Sequence, residues 1–296
     1  MSSRLRDHAK QQTTGMRFPA NGGDYPGKDQ VADYLHDYVA SFALPVRLQW
    51  AVTRAEQVPD GFVVHTSRGP LSTCQVVIAT GPFQEHVVPG AATGLSDAVV
   101  QLHSAEYRRP EDVPAGPVVV VGGGNSGRQI AEELAATRDV TLAVGTAPLE
   151  LPQRFLGRDL FWWLTRRGMM NQTIESRLAR SMRDRSDLII GTPLRLRRAG
   201  VQIKPRVVTI TGNQVSFQDG TSVRAASVVW ATGFRTDYAW IDVPDVLDEK
   251  GNPRHDRGVT VARGPAFVGL AWQHPRVSVA RVRPVRRRVS RWPAGG

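Results

Sequence analysis

The run VVVVGGGNSGRQIAEEL, beginning at Val118, constrains the fold of this chain more than any other stretch. Gly122, Gly124 and Gly127 satisfy G-x-G-x-x-G, with four valines before them and a helix-forming run after them. The spacing alone is weak, but strand, turn and helix in this order are the context it requires. Gly122 permits a tight turn, Gly124 lets backbone approach a pyrophosphate, and Gly127 lets the helix lie close to the strand. The N–H groups of the first helical turn, from Asn125 and Ser126 onward, would then face an anion with the helix dipole behind them. The alternative is a glycine-rich strand-to-helix turn without a ligand. The predicted elements are a strand over 118–121, a helix over 126–136 and a second strand over 140–144, which together open a βαβ unit.

In such units a carboxylate about 20 residues beyond the first glycine binds a ribose 2′-hydroxyl. The window here reads LAVGTAP, and 143–147 holds no acid. Without a carboxylate a 2′-phosphate meets no repulsion, which favours NADPH over NADH. Arg154 and Arg158, just downstream, are candidate cations; plain solvent exposure is the other reading of each.

Around this centre the pattern is mixed. DQVADYLHDYVASF places Val31, Leu35, Tyr38, Val39 and Phe42 on one helical face, predicted to pack on a core, with Asp29 in the first turn. VRLQWAVTRAEQV, GFVVHTS and QVVIATG read as strands separated by Pro-Asp-Gly and Arg-Gly-Pro turns. Residues 84–117 hold four prolines and read as a linker. Residues 155–188, with Phe161, Trp162 and Trp163, are predicted helical. Strands return at VQIKPRVVTI, QVSFQDG, SVVWATGF and AFVGL, with a loop-rich stretch over 237–264.

Net charge is +11, which raises the possibility of a nucleic-acid partner. Seven arginines lie in the last 21 residues, however, and without them 31 basic residues face 27 acidic ones, a net of +4. That tail has no aromatic interleaving, so no nucleic-acid partner is expected. Its Arg, Pro, Val, Ala and Gly content, in a chain with only 4 lysines, matches either a shifted reading frame in GC-rich DNA or a true basic tail. Residues 277–296 are expected to be disordered. No apolar run approaches membrane-spanning length and no signal-peptide h-region is visible, so the expected setting is cytoplasmic, with no membrane partner. The one cysteine, Cys74, excludes an internal disulfide and reads as a small apolar residue leading into a strand. Seven histidines lack metal-ligand spacing, and no acid–base triad is visible, so no metal site is expected.

VVIATGPF at 76–83 and VVWATGFR at 228–235 are two apolar strands that both run into Ala-Thr-Gly. Two copies flanking one Gly-rich loop suggest two nucleotide-binding units, one nested in the other. This order resembles the flavin-containing monooxygenases, among the flavoproteins with two dinucleotide-binding domains. FPANGGDYPGKDQVADYL, LHSAEYRRP, GGGNSGRQIAEELA, LPQRFLGRDLFWWL, VVWATGFRTDYAWID and VGLAWQH carry the resemblance across residues 16–274.

The resemblance implies an α/β fold, with a Rossmann-like NADPH-binding domain nested in a partial FAD-binding domain. Residues 1–116 would be the partial FAD-binding part and 117–235 the NADPH-binding domain; 236–276 would return to the FAD-binding domain. It implies that NADPH reduces FAD and that O₂ is then activated as a flavin hydroperoxide to oxygenate a small-molecule substrate. Gly122, Gly124, Asn125, Ser126 and Gly127 would hold the NADPH pyrophosphate. Arg154 would lie by the cofactor, Thr232 and Gly233 near the cofactor junction, and Thr80, Gly81, Gln273 and His274 would face FAD. The chain departs from the family in three places. It has no first G-x-G-x-x-G. The fingerprint F-x-G-x-x-x-H-x-x-x-[WY] keeps His103 and Tyr107 but has Asp97 and Val99 at the Phe and Gly positions. The small-residue helix that follows Trp-Gln-His in the family is replaced by the arginine tail. The competing expectation is an NADP(H)-binding remnant without FAD or catalysis.

Overall fold

Continuous apolar runs, not alternating ones, build the centre of the molecule. The computed structural model describes residues 15–19, 27–145, 193–260 and 264–270, plus positions 163 and 166 and short paired pieces at 150–151, 154–155, 158–159 and 189–190. Five strands form an all-parallel sheet: β1 (Val100–His103), β2 (Val118–Val121), β3 (Val140–Ala143), β4 (Gln202–Lys204) and β5 (Ser227–Trp230), in the spatial order β4-β3-β2-β5-β1. A parallel sheet is covered on both faces, so its strands read as unbroken hydrophobic runs. β3 and β5 are buried along their whole length, and β2 at all but its last residue. Helix α2 (Asn125–Leu134) covers one face with Ile130, Ala131 and Leu134 against Val118, Val120, Leu142 and Val229. An antiparallel meander over 207–211, 214–217 and 222–224 covers the other, with Ile210, Val215 and Phe217 against Val119, Val228 and Trp230.

Val118–Val121 is therefore a central parallel strand that leads into a helix, as its sequence predicts. The stretch read as a linker is not all linker, because β1 lies within it and becomes the edge strand beside β5.

Segments from before and after this sheet share a second core. Val52–Val58, Gly61–Thr66 and Gly69–Thr73 form an antiparallel meander, and Ile241–Asp242 pairs parallel with its first strand. Val76–Ile78 pairs parallel with Pro265–Phe267. Phe62, Ile78, Tyr238, Ile241, Val246 and Phe267 fill the space between. One nucleotide-binding-type sheet is thus inserted into a body built from its two flanks. The third strand of the meander lies where the sequence suggests only an Arg-Gly-Pro turn. Pro70 is tolerated there because the strand is at the sheet edge, where a missing N–H costs no ladder bond. Cys74, at the bend that follows, is exposed rather than packed.

Helix α1 (Lys28–Ser41) forms as its periodicity predicts, but it buries a different residue. Tyr34 is the buried one: it packs on Phe18 with ring centroids 4.8 Å apart, and its hydroxyl donates to the Met16 carbonyl at 3.0 Å. Leu35 and Phe42 of the predicted core face are 51% and 45% exposed. The helix start is closed by Gln30, whose side chain accepts from the Gly27 N–H at 2.8 Å. In the region predicted helical over 155–188, Arg154–Phe155 and Arg158–Asp159 form a short antiparallel pair. The aromatic run at 161–162 and the tail over 277–296 lie outside the described residues. Among the described residues no helix is long and apolar enough to cross a membrane.

Candidate nucleotide-binding site

Three glycines of the turn after β2 do three different jobs. Gly122 sits at φ 122, a region that L side chains rarely adopt, and a Cβ there would lie 2.1 Å from the Ala231 carbonyl oxygen. Gly127 is helical, but a Cβ on it would lie 2.0 Å from the Gly122 oxygen and 3.1 Å from the Ala231 Cβ. These two close contacts hold α2 down on the sheet and press the turn against the end of β5. Gly124, the N-cap of α2, is different, because a Cβ there would meet nothing within 4 Å. The backbone is open at this position. Asn125 and Ser126 follow as the first residues of α2, whose first turn carries no acid to repel an anion. Arg128, absent from the sequence-predicted set, is buried beneath the turn and donates from Nε to the Gly123 oxygen at 2.8 Å. It adds a fixed positive charge under the loop. The residues present therefore fit a dinucleotide pyrophosphate: a bare N-cap, a helix N-terminus without acids and a buried cation.

β5 delivers the second Ala-Thr-Gly against this loop. The Ala231 N–H donates to the Val121 oxygen at 2.8 Å. The Thr232 hydroxyl donates to the Val87 carbonyl, so it pins the linker in place and does not point outward. Gly233, at φ 88, turns its carbonyl to the Val87 N–H and to His103 Nε2, each at 3.1 Å.

His103 accepts at Nδ1 from the Ala105 N–H at 3.2 Å, so its proton sits on Nε2 and is donated to Gly233. Its ring stacks on His86 at 4.3 Å with 10° between planes, and Phe234 meets it edge-on at 5.0 Å. Burial, and then the adjacent His86, hold its pKa below the ordinary histidine value. Tyr107, the other retained fingerprint position, donates to the Glu133 carboxylate at 3.1 Å and ties the linker to α2; burial pushes its pKa up.

The first Ala-Thr-Gly faces the second body. Thr80 Oγ1 and the Gly81 oxygen both accept from Gln84 Nε2, at 3.0 and 2.8 Å, and Gln84 Oε1 accepts from the Asp237 N–H at 3.0 Å. The Tyr238 hydroxyl is buried beside Thr80 and Gln84 without a hydrogen-bond partner among the described residues. The exits of the two turns pair with one another, Phe234 against His86 and Arg235 against Glu85. Gln84 and the Glu85–His86 pair thus link the Thr80-Gly81 turn to the segment after Thr232 and Gly233, and Ala231 joins that segment to Gly122 and Gly127. Arg154 lies on its short strand; Gln273 and His274 lie outside the described residues. No group of three His, Cys, Asp or Glu among the described residues could hold a metal ion.

The arrangement is that of flavoproteins with two dinucleotide-binding units, and the comparisons agree. The family model described as pyridine nucleotide-disulphide oxidoreductase matches residues 9–259, and this chain belongs to that family. It is 42% identical over 266 residues to an uncharacterized CzcO-like oxidoreductase of Geobacillus kaustophilus (strain HTA426), covering 89% of this chain and 76% of that protein. It is 34% identical over 266 residues to the uncharacterized oxidoreductase CzcO of Bacillus subtilis (strain 168), covering 89% and 77%. Among solved structures, a flavin-containing monooxygenase from Stenotrophomonas maltophilia superposes with a TM-score of 0.69 at 25% identity, over 89% of this chain and 75% of that one. The chain is thus a member of a flavin-dependent oxidoreductase family with the mixed α/β fold of flavin monooxygenases.

Proposed function

We propose that this chain binds NADPH at the Gly122–Gly127 turn, as the nicotinamide-binding part of a flavin-monooxygenase-type oxidoreductase acting on a small molecule. One observation carries the reading. Gly122 and Gly127 are locked by contacts that admit no Cβ, whereas Gly124 between them is open to a ligand. Structural need explains the first two glycines, and a close-lying anion explains the third. In this reading the α2 N-terminus and Arg128 hold the pyrophosphate, and Gly233 and His103 fix the junction past which the nicotinamide extends. Bound NADPH supplies a hydride.

FAD is a different case. Thr80 and Gly81 offer a turn like that of Thr232 and Gly233, but residues 1–117 contain no G-x-G-x-x-G to lie beside it. The residues present do not make a complete flavin site. We therefore expect NADPH binding without retained FAD, and no oxygenation by this chain alone. Calorimetric titration should show NADPH binding more tightly than NADH. Gly124→Asp should weaken binding of both, by adding bulk and a like charge where the pyrophosphate approaches, without lowering the thermal midpoint. The purified protein should show no flavin absorbance. Equal affinities would overturn the NADPH preference, and a yellow protein with stoichiometric FAD would overturn the incomplete-site reading.

A further inference from the structure

A dinucleotide seated on the Gly122–Gly127 turn lays its adenosine ribose across the end of the second strand of the unit, here β3. That end is unusual. Val144 and Gly145 stand where a carboxylate would bind a 2′-hydroxyl. The nearby arginines in sequence are Arg154 and Arg158, but the fold brings another one to this point. β4 runs parallel beside β3, and the Val144 N–H donates to the Lys204 oxygen at 2.8 Å. Pro205 then ends β4, having no N–H to continue the ladder. The next side chain, Arg206, lies over Gly145. A Cβ on Gly145 would be 3.4 Å from Arg206 Nε, 3.5 Å from Nη2 and 3.7 Å from Cζ. Cζ is the farthest of the three, so the Nε–Nη2 edge of the guanidinium is the part nearest the space that a Gly145 side chain would fill.

The surface is continuous with the glycine turn, because a Cβ on Gly123 would meet Val144 Cγ1 at 2.7 Å. Gly123, Val144, Gly145 and Arg206 therefore form one floor leading from the pyrophosphate turn to a cation. The neighbouring Lys204 has a carboxylate partner, Asp219 at 3.3 Å. Arg206 is exposed, and its guanidinium has no hydrogen bond or ion pair among the described residues. Its planar fork of donors matches phosphate geometry.

We infer that Arg206 binds the 2′-phosphate of NADPH and is the residue that sets the preference for it over NADH. The inference rests on the proposed NADPH site and names the side chain that reads the phosphate. Gly145 serves as its seat: the absent side chain leaves room for the guanidinium edge and leaves no carboxylate to neutralise it.

The test is calorimetric titration of the full chain with NADPH and NADH, for wild type, Arg206→Ala and Gly145→Asp. Arg206→Ala should weaken NADPH roughly 10- to 100-fold, the range for losing a charge-assisted contact, while NADH affinity serves as the internal reference and stays within about twofold. Gly145→Asp should weaken NADPH and strengthen NADH, because it places a carboxylate at the ribose and against the guanidinium. A wild type that binds both nucleotides equally would overturn the NADPH site itself. A wild type that prefers NADPH, with the preference intact in Arg206→Ala, would overturn the role of Arg206 alone. Equal loss of both nucleotides in Arg206→Ala would also overturn it, since that is the mark of a structural residue.

Discussion

Val228-Val229-Trp230 and Val76-Val77-Ile78 run into the same Ala-Thr-Gly turn, 152 residues apart, and end up in opposite surroundings. β5 has β2 on one side and β1 on the other, and all four of its residues are buried. Among the described residues Val76–Ile78 has a single partner strand, Pro265–Phe267, and Val77 is 62% exposed. The turns themselves agree. Gly233 and Gly81 both have positive φ, 88 and 68, and a Cβ on either would meet nothing within 4 Å. A shared local sequence therefore produces a shared local turn, while burial depends on which strands arrive alongside. For β5 one neighbour is the strand of the Gly-rich loop, in register Val229 to Val120. The first copy has no such neighbour among the described residues.

The sharpest way to break this comparison is at the contact that only the second copy makes. Gly127→Ala forces a methyl into the Gly122 carbonyl and Ala231, and should cost about 3 kcal/mol in a denaturant titration while abolishing NADPH binding. An unchanged midpoint would mean that α2 does not seat on β5 as described. A matched pair of truncations tests the strands directly. Val229→Ala removes two fully buried methyl groups and should cost about 2 kcal/mol, whereas Val77→Ala should stay within about 0.5 kcal/mol. Equal costs would show that the edge of Val76–Ile78 is covered in solution.

Gly81→Ala and Gly233→Ala probe what the two copies share. Both sites have positive φ and open space, so each should cost about 1 kcal/mol from backbone strain alone. A much larger loss at Gly233 would mean that its links to Val87 and His103 depend on the glycine in a way that the open space does not show.

The smallest effect is on acid stability, at the junction of the two units. The folded state holds the pKa of His103 below its ordinary value, so it favours the neutral ring. Above the ordinary value of 6.5 both folded and unfolded states carry a neutral His103, and it adds no pH dependence. As pH falls below that value the unfolded chain takes up a proton that the folded chain resists, and stability is lost. Protonation at Nδ1 also forfeits the bond from Ala105. Thermal midpoints measured between pH 7.5 and 5.5 should therefore fall more steeply for wild type than for His103→Gln. Parallel curves would remove His103 as the source.

Much of the central unit was legible in sequence because its determinants are local. A glycine that needs φ 122, a bare N-cap, and valine runs that must be buried on both faces announce themselves within 20 residues. The positions of Gly122, Gly124 and Gly127 and the start of α2 followed from that. What failed to show was whatever depends on residues distant in the chain. The helix pattern over 28–41 could not reveal that Tyr34 would be the anchor, because Met16 and Phe18 make it so. The proline at position 70 suggested a turn, since only the sheet order shows that its strand is an edge. Nor did the sequence show that the Thr232 hydroxyl would be held by the Val87 carbonyl, 145 residues away.

Sequence alone thus determined the glycine-rich turn, the acid-free stretch over 143–147 and the two echoing strands, because backbone dihedrals and hydrophobic runs are set by near neighbours. Tertiary structure alone decided which of those strands would be enclosed, and that the cation above Gly145 is Arg206. Parallel pairing brings together residues about 60 positions apart, and no local pattern encodes which two will meet.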